Sequence, residues 1–307
     1  VRKYRKSFLL VHLFLAVLLY IVFVLAARKN GTWNGGSFFI AVLIMEGLFL
    51  FCVFHGMKKE SLSTGPFDIM TIVWILLIVW ELSTTILHIA HPVLVPSPEH
   101  VFDTFRTQWQ KMLLNIAYSM QLLVTGFFAG WIPGILLGLA AGWFPRVKHT
   151  AYPIANVMAP IPAIVFSPYL VAIMPTFRSA SVLVILLGVF WPAFLTTVNR
   201  VASIEPQILD SARMLSLDDR TMIFHILLPY IIPGVVSGLK VSVTTSLLML
   251  NFAELMGATH GMGYYVQNSI AYANYTHAAA GIIVIGMVVT CLSKAVSLFS
   301  EHAVKWH

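Results

Sequence analysis

The chain has 307 residues, 59% hydrophobic and only 10% charged, whereas soluble domains carry roughly a quarter charged residues, so a water-soluble fold is excluded. Apolar runs near the ~20 residues that cross a bilayer predict an all-α polytopic membrane protein, and the short alternating segments of a β-barrel are absent. The formal net charge of +7 comes from Lys and Arg scattered through short connections, which is a topology signal and a poor basis for nucleic-acid binding.

Eight spans are predicted, at about 8–27, 37–56, 68–90, 116–142, 150–174, 179–199, 230–252 and 279–300. No small-residue cleavage site follows the first apolar stretch, so it reads as a span and not as a cleaved signal peptide. Glu46 in the second span reads as a helix–helix hydrogen-bond partner, and Glu81 is the ionisable group of the third. Cys52 and Cys291 fall inside apolar runs and read as small core residues, not a disulfide.

Between the third and fourth spans, Ser97 can cap a helix with Pro98 at its first position and Glu99 complementing its dipole. Val101, Phe105, Trp109 and Leu113 then recur every four residues. This pattern predicts either a short helix on the outer membrane surface or one packed on the bundle. The fourth span carries Gly126, Gly130, Gly134, Gly138 and Gly142, a stripe that lets another helix backbone approach closely.

The fifth span holds Pro153, Pro160, Pro162 and Pro168, with Pro175 just past its end. Such a segment is broken or kinked, and broken backbone at membrane depth is tolerated where it is buried or lines an aqueous cavity. Pro160, Pro162 and Pro168 are therefore pathway candidates, with a merely kinked structural helix as the other reading. Lys240 and Glu254 of the seventh span join them as intramembrane ionisable groups. Lys240 lies too deep to escape easily and is expected to face protein, as a structural partner or a solute contact. Lys294 is near an end and can snorkel.

The segment 200–229 reads as two short amphipathic helices joined by a turn. Pro206 starts the first, and Ser216 or Asp218 caps the second. It is either a docking surface or an ordinary solvated loop. Orientation follows from charge. Arg2, Lys3, Arg5, Lys6, Lys58, Lys59, Arg146, Lys148, Arg200, Arg213, Arg220 and Lys305 fall on one side, twelve against Arg28, Lys29, Arg106, Lys111 and Arg178 on the other. The bias predicts both termini in the cytoplasm. Phosphate-loop, zinc-helix and nucleophile-elbow signatures are missing and the His residues lack metal-ligand spacing, so no catalytic residue and no metal site is expected.

Asp210-Ser211-Ala212, Ser216, Ile226, Leu228 and Pro229 resemble the E-A-A-x(3)-G-x(9)-I-x-L-P loop of the permease subunits of ATP-driven (ABC) importers, at matching spacing. Asp210 stands for the Glu, Ser211 for the central Ala and Ser216 for the Gly. A left-handed turn that Gly adopts cheaply is thereby in question, with capping as a substitute role for Ser216. Trp80-Glu81, Val95-Pro96-Ser97-Pro98, the glycine-striped span, Pro160-x-Pro162 with Pro168, Gly238-Leu239-Lys240, Glu254 and Gly261-Met262-Gly263-Tyr264 look like the nitrate/sulfonate/taurine branch. The likeness covers roughly 68–307.

The resemblance implies a six-span type I importer core, with residues 1–67 an extra N-terminal helix pair. The coupling helix of 200–229 would dock on a cytoplasmic ABC ATPase dimer, which binds ATP and Mg; no cofactor is expected in this chain. Leu209, Met214 and Leu215 would supply apolar contacts and Asp210, Arg213 and Arg220 polar ones, with Ser211, Ala212 and Ser216 completing the motif. Other implied partners are an extracytoplasmic solute-binding protein and a second permease copy, forming a homodimer in the bacterial inner membrane. The implied solute is a small anion such as a sulfonate, taurine, nitrate or bicarbonate. Thiamine precursors or other heterocycles are the alternative, and an ion-coupled secondary transporter is a further one.

Overall fold

An apolar segment that crosses a bilayer must satisfy its own backbone, and the α-helix does so within one segment. The computed structural model describes residues 5–28, 35–58 and 63–303, and every regular element among them is helical. The charges of Arg2, Lys3, Lys29, Lys59 and Lys305 lie outside the described residues.

The helices are α1 (Arg5–Arg28), α2 (Gly36–Lys58), α3 (Gly65–Glu81), α4 (Pro98–Trp143), α5 (Pro145–Met158), α6 (Ser167–Ile173), α7 (Phe177–Ala202), α8 (Pro206–Met214), α9 (Asp219–Thr221), α10 (Leu228–Leu255), α11 (Met262–Ala271) and α12 (Tyr275–Ala303). Seven stretches are long and apolar enough to cross a membrane, and the pair Pro145–Met158 and Ala163–Ile173, bent by 84°, makes an eighth if it is one span.

Two expectations are corrected. The segment after Ser97 is not a separate surface helix: α4 starts at Pro98 as expected but continues unbroken for 46 residues. Nothing between Pro98 and Gly142 removes a hydrogen bond except Pro133, which the long helix absorbs. The second half of the 200–229 segment is not a short helix either. From Asp219 the chain passes through a wide π-helical turn at Met222–Leu227 straight into α10. The fifth segment does break, at Ala159–Pro162, where a 3₁₀ turn (Ala163–Phe166) leads into α6.

The chain forms two packing units, residues 1–111 with 268–282, and residues 112–267 with 283–307. In the first, α1, α2 and α3 share one core of Val11, Leu18, Phe38, Val42, Phe67 and Trp74. Within this unit α3 buries its Trp74 face against the preceding pair. Glu46 meets α1 as expected, its Oε1 3.1 Å from His12 Nε2. Trp80 Nε1–H donates to the Pro96 carbonyl at 2.9 Å, closing the connection from α3 to α4.

In the second unit the glycine stripe of α4 lies along α7. A Cβ on Gly126 would sit 2.7 Å from Ile185, on Gly130 2.5 Å from the Leu186 carbonyl, and on Gly134 2.7 Å from that of Phe190. On Gly138 and Gly142 it would sit 2.6 Å from Thr197 and from Val201. Real Cβ contacts are essentially never so short, so the glycine backbone of α4 packs directly on the carbonyls of Leu186 and Phe190 and on the side chains of Ile185, Thr197 and Val201 over four turns.

Candidate coupling surface and translocation cavity

At the end of α7, Ser203 folds its hydroxyl back onto the Arg200 carbonyl at 2.8 Å, and the chain turns into α8 at Pro206, whose fixed φ suits a first helical turn. The inner face of α8 is apolar. Ala212 is buried in a cluster with Val201, Ile204, Met222 and Leu227, and Ile208 and Leu209 pack half-buried against it. Leu209 thus packs half-buried on this chain's own cluster. Met214 and Leu215, in contrast, are 88% and 72% exposed. Two adjacent large apolar side chains turned outward at a helix end are an uncommon use of such residues. Asp210, Ser211, Ser216 and Arg220 are exposed beside them, and Ser211 also donates to the Gln207 carbonyl at 2.7 Å. Arg213 belongs to α8, and its side chain lies outside the described atoms.

Ser216 has φ +51°. The left-handed turn is kept although the residue is not Gly, at a cost of about 1–2 kcal/mol for an L-residue. Capping falls to Asp218, whose carboxylate accepts the Thr221 N–H at 3.4 Å. Hydrogen bonding by the Thr221 side chain first, and by its N–H second, holds the Asp218 carboxyl below the usual carboxylate range. Trp143 Nε1–H donates to Asp219 Oδ1 at 2.9 Å, which ties the segment to the last residue of α4.

A cavity of about 190 Å³ lies between α4, α7 and α10. Its wall runs along α7 from Gly188 through Pro192, Thr196 and Thr197, along α10 from Gly234 through Gly238 to Ser242 and Thr245, and past Trp131 and Ile135 of α4. The lining has hydroxyls and backbone but no ionisable side chain. Thr197, Ser242 and Thr245 donate to carbonyls of their own helices, at 2.8, 3.3 and 3.0 Å.

The pathway candidates fall in three different places. Pro160, Pro162 and Pro168 are exposed on the broken segment, none of them on the cavity wall. The segment reaches the cavity through Ala163, whose Cβ is 3.5 Å from the place of a Cβ on Gly188. Lys240 does not face protein within this chain, contrary to expectation: it is exposed, next to the cavity residue Val241, itself 70% exposed.

Glu254 stands apart from the cavity, buried to 1% exposure. Ser119 Oγ donates to it at 2.5 Å and the Gly263 N–H at 2.7 Å. Ser119 in turn accepts the Met262 N–H, and Asn115 Oδ1 the Gly261 N–H, both at 2.8 Å. Gly261, at φ +125°, and Gly263 both crowd the carboxylate so closely that a Cβ on either would collide with it. The Gly-Met-Gly run is thus a loop wrapped on a buried carboxylate and anchored to α4. No group of three His, Cys, Asp or Glu with metal-binding geometry occurs among the described residues.

Sequence reasoning missed the Trp143–Asp219 bond and the cavity itself. Gly188, Gly234 and Gly238, with Pro192 and Pro233 inside helices, were the available signal.

Residues 134–306 match the family described as "Binding-protein-dependent transport system inner membrane component". The taurine transport system permease protein TauC of Escherichia coli (strain K12) is 24% identical over 261 residues, 81% of this chain and 91% of TauC. The nitrate import permease protein NrtB of Leptolyngbya laminosa is 26% identical over 195 residues, 64% of this chain and 70% of NrtB. Among solved structures, a chain of a bacterial alginate ABC transporter, crystallised with its alginate pentasaccharide-bound periplasmic protein, has the same fold. It is 16% identical at a TM-score of 0.53, over 77% of this chain and 94% of that one.

Proposed function

This chain belongs to the family of binding-protein-dependent transport system inner membrane components, in the nitrate/sulfonate/taurine branch of ABC-importer permeases, and on that premise we propose that it carries a small anion along the α4–α7–α10 cavity, coupled to a separate ATPase by segment 200–229. The observation that carries the coupling is the α8 tip. Met214 and Leu215 are turned out of the core, immediately before the left-handed turn at Ser216 and at the motif's spacing. An apolar pair held outward on a buried footing of Ala212, Ile208 and Leu209 fits a groove on a partner.

In this reading α8 docks on one subunit of an ATPase dimer, which binds ATP and Mg. Asp210, Arg213 and Arg220 add polar contacts, with Ser211 beside them. A solute-binding protein delivers the anion from outside to a pair of permease copies, and both termini face the cytoplasm. ATP-driven closure of the ATPases moves α8, and motion passes to the cavity through both helices that leave the segment, α7 and α10. Their shared wall opens to one side or the other, which is alternating access.

Anionic cargo is supported by the names of the relatives, taurine and nitrate permeases. Of the hydroxyls on the cavity wall, that of Thr196 is the one not donated to a carbonyl of its own helix, and it is available to an oxyanion. The break at Ala159–Pro162, which sets Ala163 against Gly188, lets the broken segment shift without dismantling a regular helix.

The test is reconstitution with the neighbouring ATPase and binding protein, measuring uptake of taurine, ethanesulfonate, nitrate and bicarbonate together with ATP hydrolysis. Met214→Asp with Leu215→Asp should abolish co-purification of the ATPase and uptake together. An ATPase that does not bind the wild-type chain, or uptake that proceeds without ATP, would sink the reading.

A further inference from the structure

Arg200 occupies the last turn of α7, one helical turn beyond the cavity residues Thr196 and Thr197. Its guanidinium lies directly on Gly234, the residue at which the α10 wall of the cavity begins, and fills the space that a Cβ there would need. The Nε atom is buried and meets no hydrogen-bond partner, and Arg200 makes no ion pair, among the described residues.

A guanidinium carries five donors in a planar fork and stays charged at any ordinary pH. With its Nε buried and unpartnered, such a group is costly to leave without an acceptor and points to an occupant. Arg200 is not itself on the cavity wall, which carries no charge of its own; its contact with the wall residue Gly234 sets the fork beside that end of the cavity. The fork matches an oxyanion with two coplanar oxygens better than it matches a spherical anion.

We propose that Arg200 receives the anionic head of the solute, a sulfonate or comparable oxyanion, at the Gly234 end of the cavity, and that Gly234 is glycine because the guanidinium occupies its Cβ space. Thr196 shares that end of the wall and offers a hydroxyl to the same head group. Arg200 is then the last fixed cation that the solute meets before the side of the coupling segment. The assignment rests on the anion reading of the transporter.

The test uses the full transporter, with its ATPase and binding protein, in proteoliposomes. It reads import of taurine, ethanesulfonate, nitrate and bicarbonate per ATP hydrolysed. Arg200→Gln should lower import of the carried anion by about tenfold to a hundredfold, as loss of a charge-assisted fork does, while binding-protein-stimulated ATP hydrolysis persists. Arg200→Lys, which keeps charge and membrane placement but not the fork, should fall between. Gly234→Ala, which pushes the end of a flexible side chain aside without changing its charge, should lower import less than Arg200→Gln.

Unchanged import in both Arg200→Gln and Gly234→Ala would overturn the assignment while leaving the anion reading intact. Parallel loss of ATPase association and ATP hydrolysis in Arg200→Gln, restored in Arg200→Lys, would overturn it in favour of a cation that pairs with the ATPase. A wild-type transporter that imports none of the four anions would overturn the anion reading, and this assignment with it.

Discussion

Trp143 and Asp219, 76 residues apart, are joined by an indole-to-carboxylate hydrogen bond of 2.9 Å. The end of α4 is thereby fixed to the start of the helix that leaves the coupling segment. Because the bond is exposed, its removal should cost only about 0.5–1.5 kcal/mol of stability. Its larger effect is on transmission: Trp143→Phe and Asp219→Ala should each leave ATP hydrolysis near wild type but lower the solute imported per ATP. Equal falls in both activities would instead mark a docking defect.

Ser216 holds φ +51° without glycine's freedom. Ser216→Gly should stabilise the segment by about 1 kcal/mol, and Ser216→Val should destabilise it by at least as much. Thermal unfolding in detergent, with ATPase co-purification alongside, measures both.

The glycine seam can be tested against an internal control. Gly130→Ala would drive a Cβ to 2.5 Å from the Leu186 carbonyl, a backbone atom that cannot step aside. About 1–3 kcal/mol of destabilisation is expected from forced separation of α4 and α7. Gly47→Ala in α2 meets nothing within 4 Å and should be neutral or stabilising, up to about 1 kcal/mol. A melting series of the two variants settles the contrast.

Asp218 sets a pH dependence. Its carboxyl lies below the ordinary carboxylate value because Thr221 donates to it. The unfolded chain therefore binds the proton more readily, and the cap stabilises the fold above the unfolded pKa of about 3.9. That contribution is lost as pH falls through the lower folded value. The difference in melting temperature between wild type and Asp218→Ala should be present at neutral pH and close under strong acid. A gap that widened on acidification would contradict the assignment.

Much of this architecture is legible in the sequence because bilayer-crossing helices announce themselves by length and apolarity. The five glycines at four-residue spacing predicted a tight helix contact, and the prolines from 153 to 168 predicted the break. What periodicity could not tell was where helices fail to stop. Ser97-Pro98-Glu99 signals a start, but nothing before Trp143 signals an end, so α4 emerged as one helix instead of two. The site was less legible. Ser216 is locally a poor left-handed residue, and only the surrounding turn imposes that backbone. Glu254 and Lys240 are both ionisable groups in an apolar run. Only the fold shows that one is enclosed by Ser119 and Gly263 while the other is left open on α10. Arg200 and Gly234 lie 34 positions apart, and no spacing rule connects them.

A seam with glycine on one side has few rotamers to exchange, and those of the β-branched Ile185, Thr197 and Val201 on the other side are stiff. Where Leu lines both sides of a helix contact, the pair can slide by repacking; where Gly126 through Gly142 meet α7, sliding drives these side chains and the Leu186 and Phe190 carbonyls against the α4 backbone. The two helices are therefore geared together as one stiff plank. Whatever changes shape during a transport cycle must hinge on the other walls, α10 with its glycines at 234 and 238, or the elbow at Ala159–Pro162.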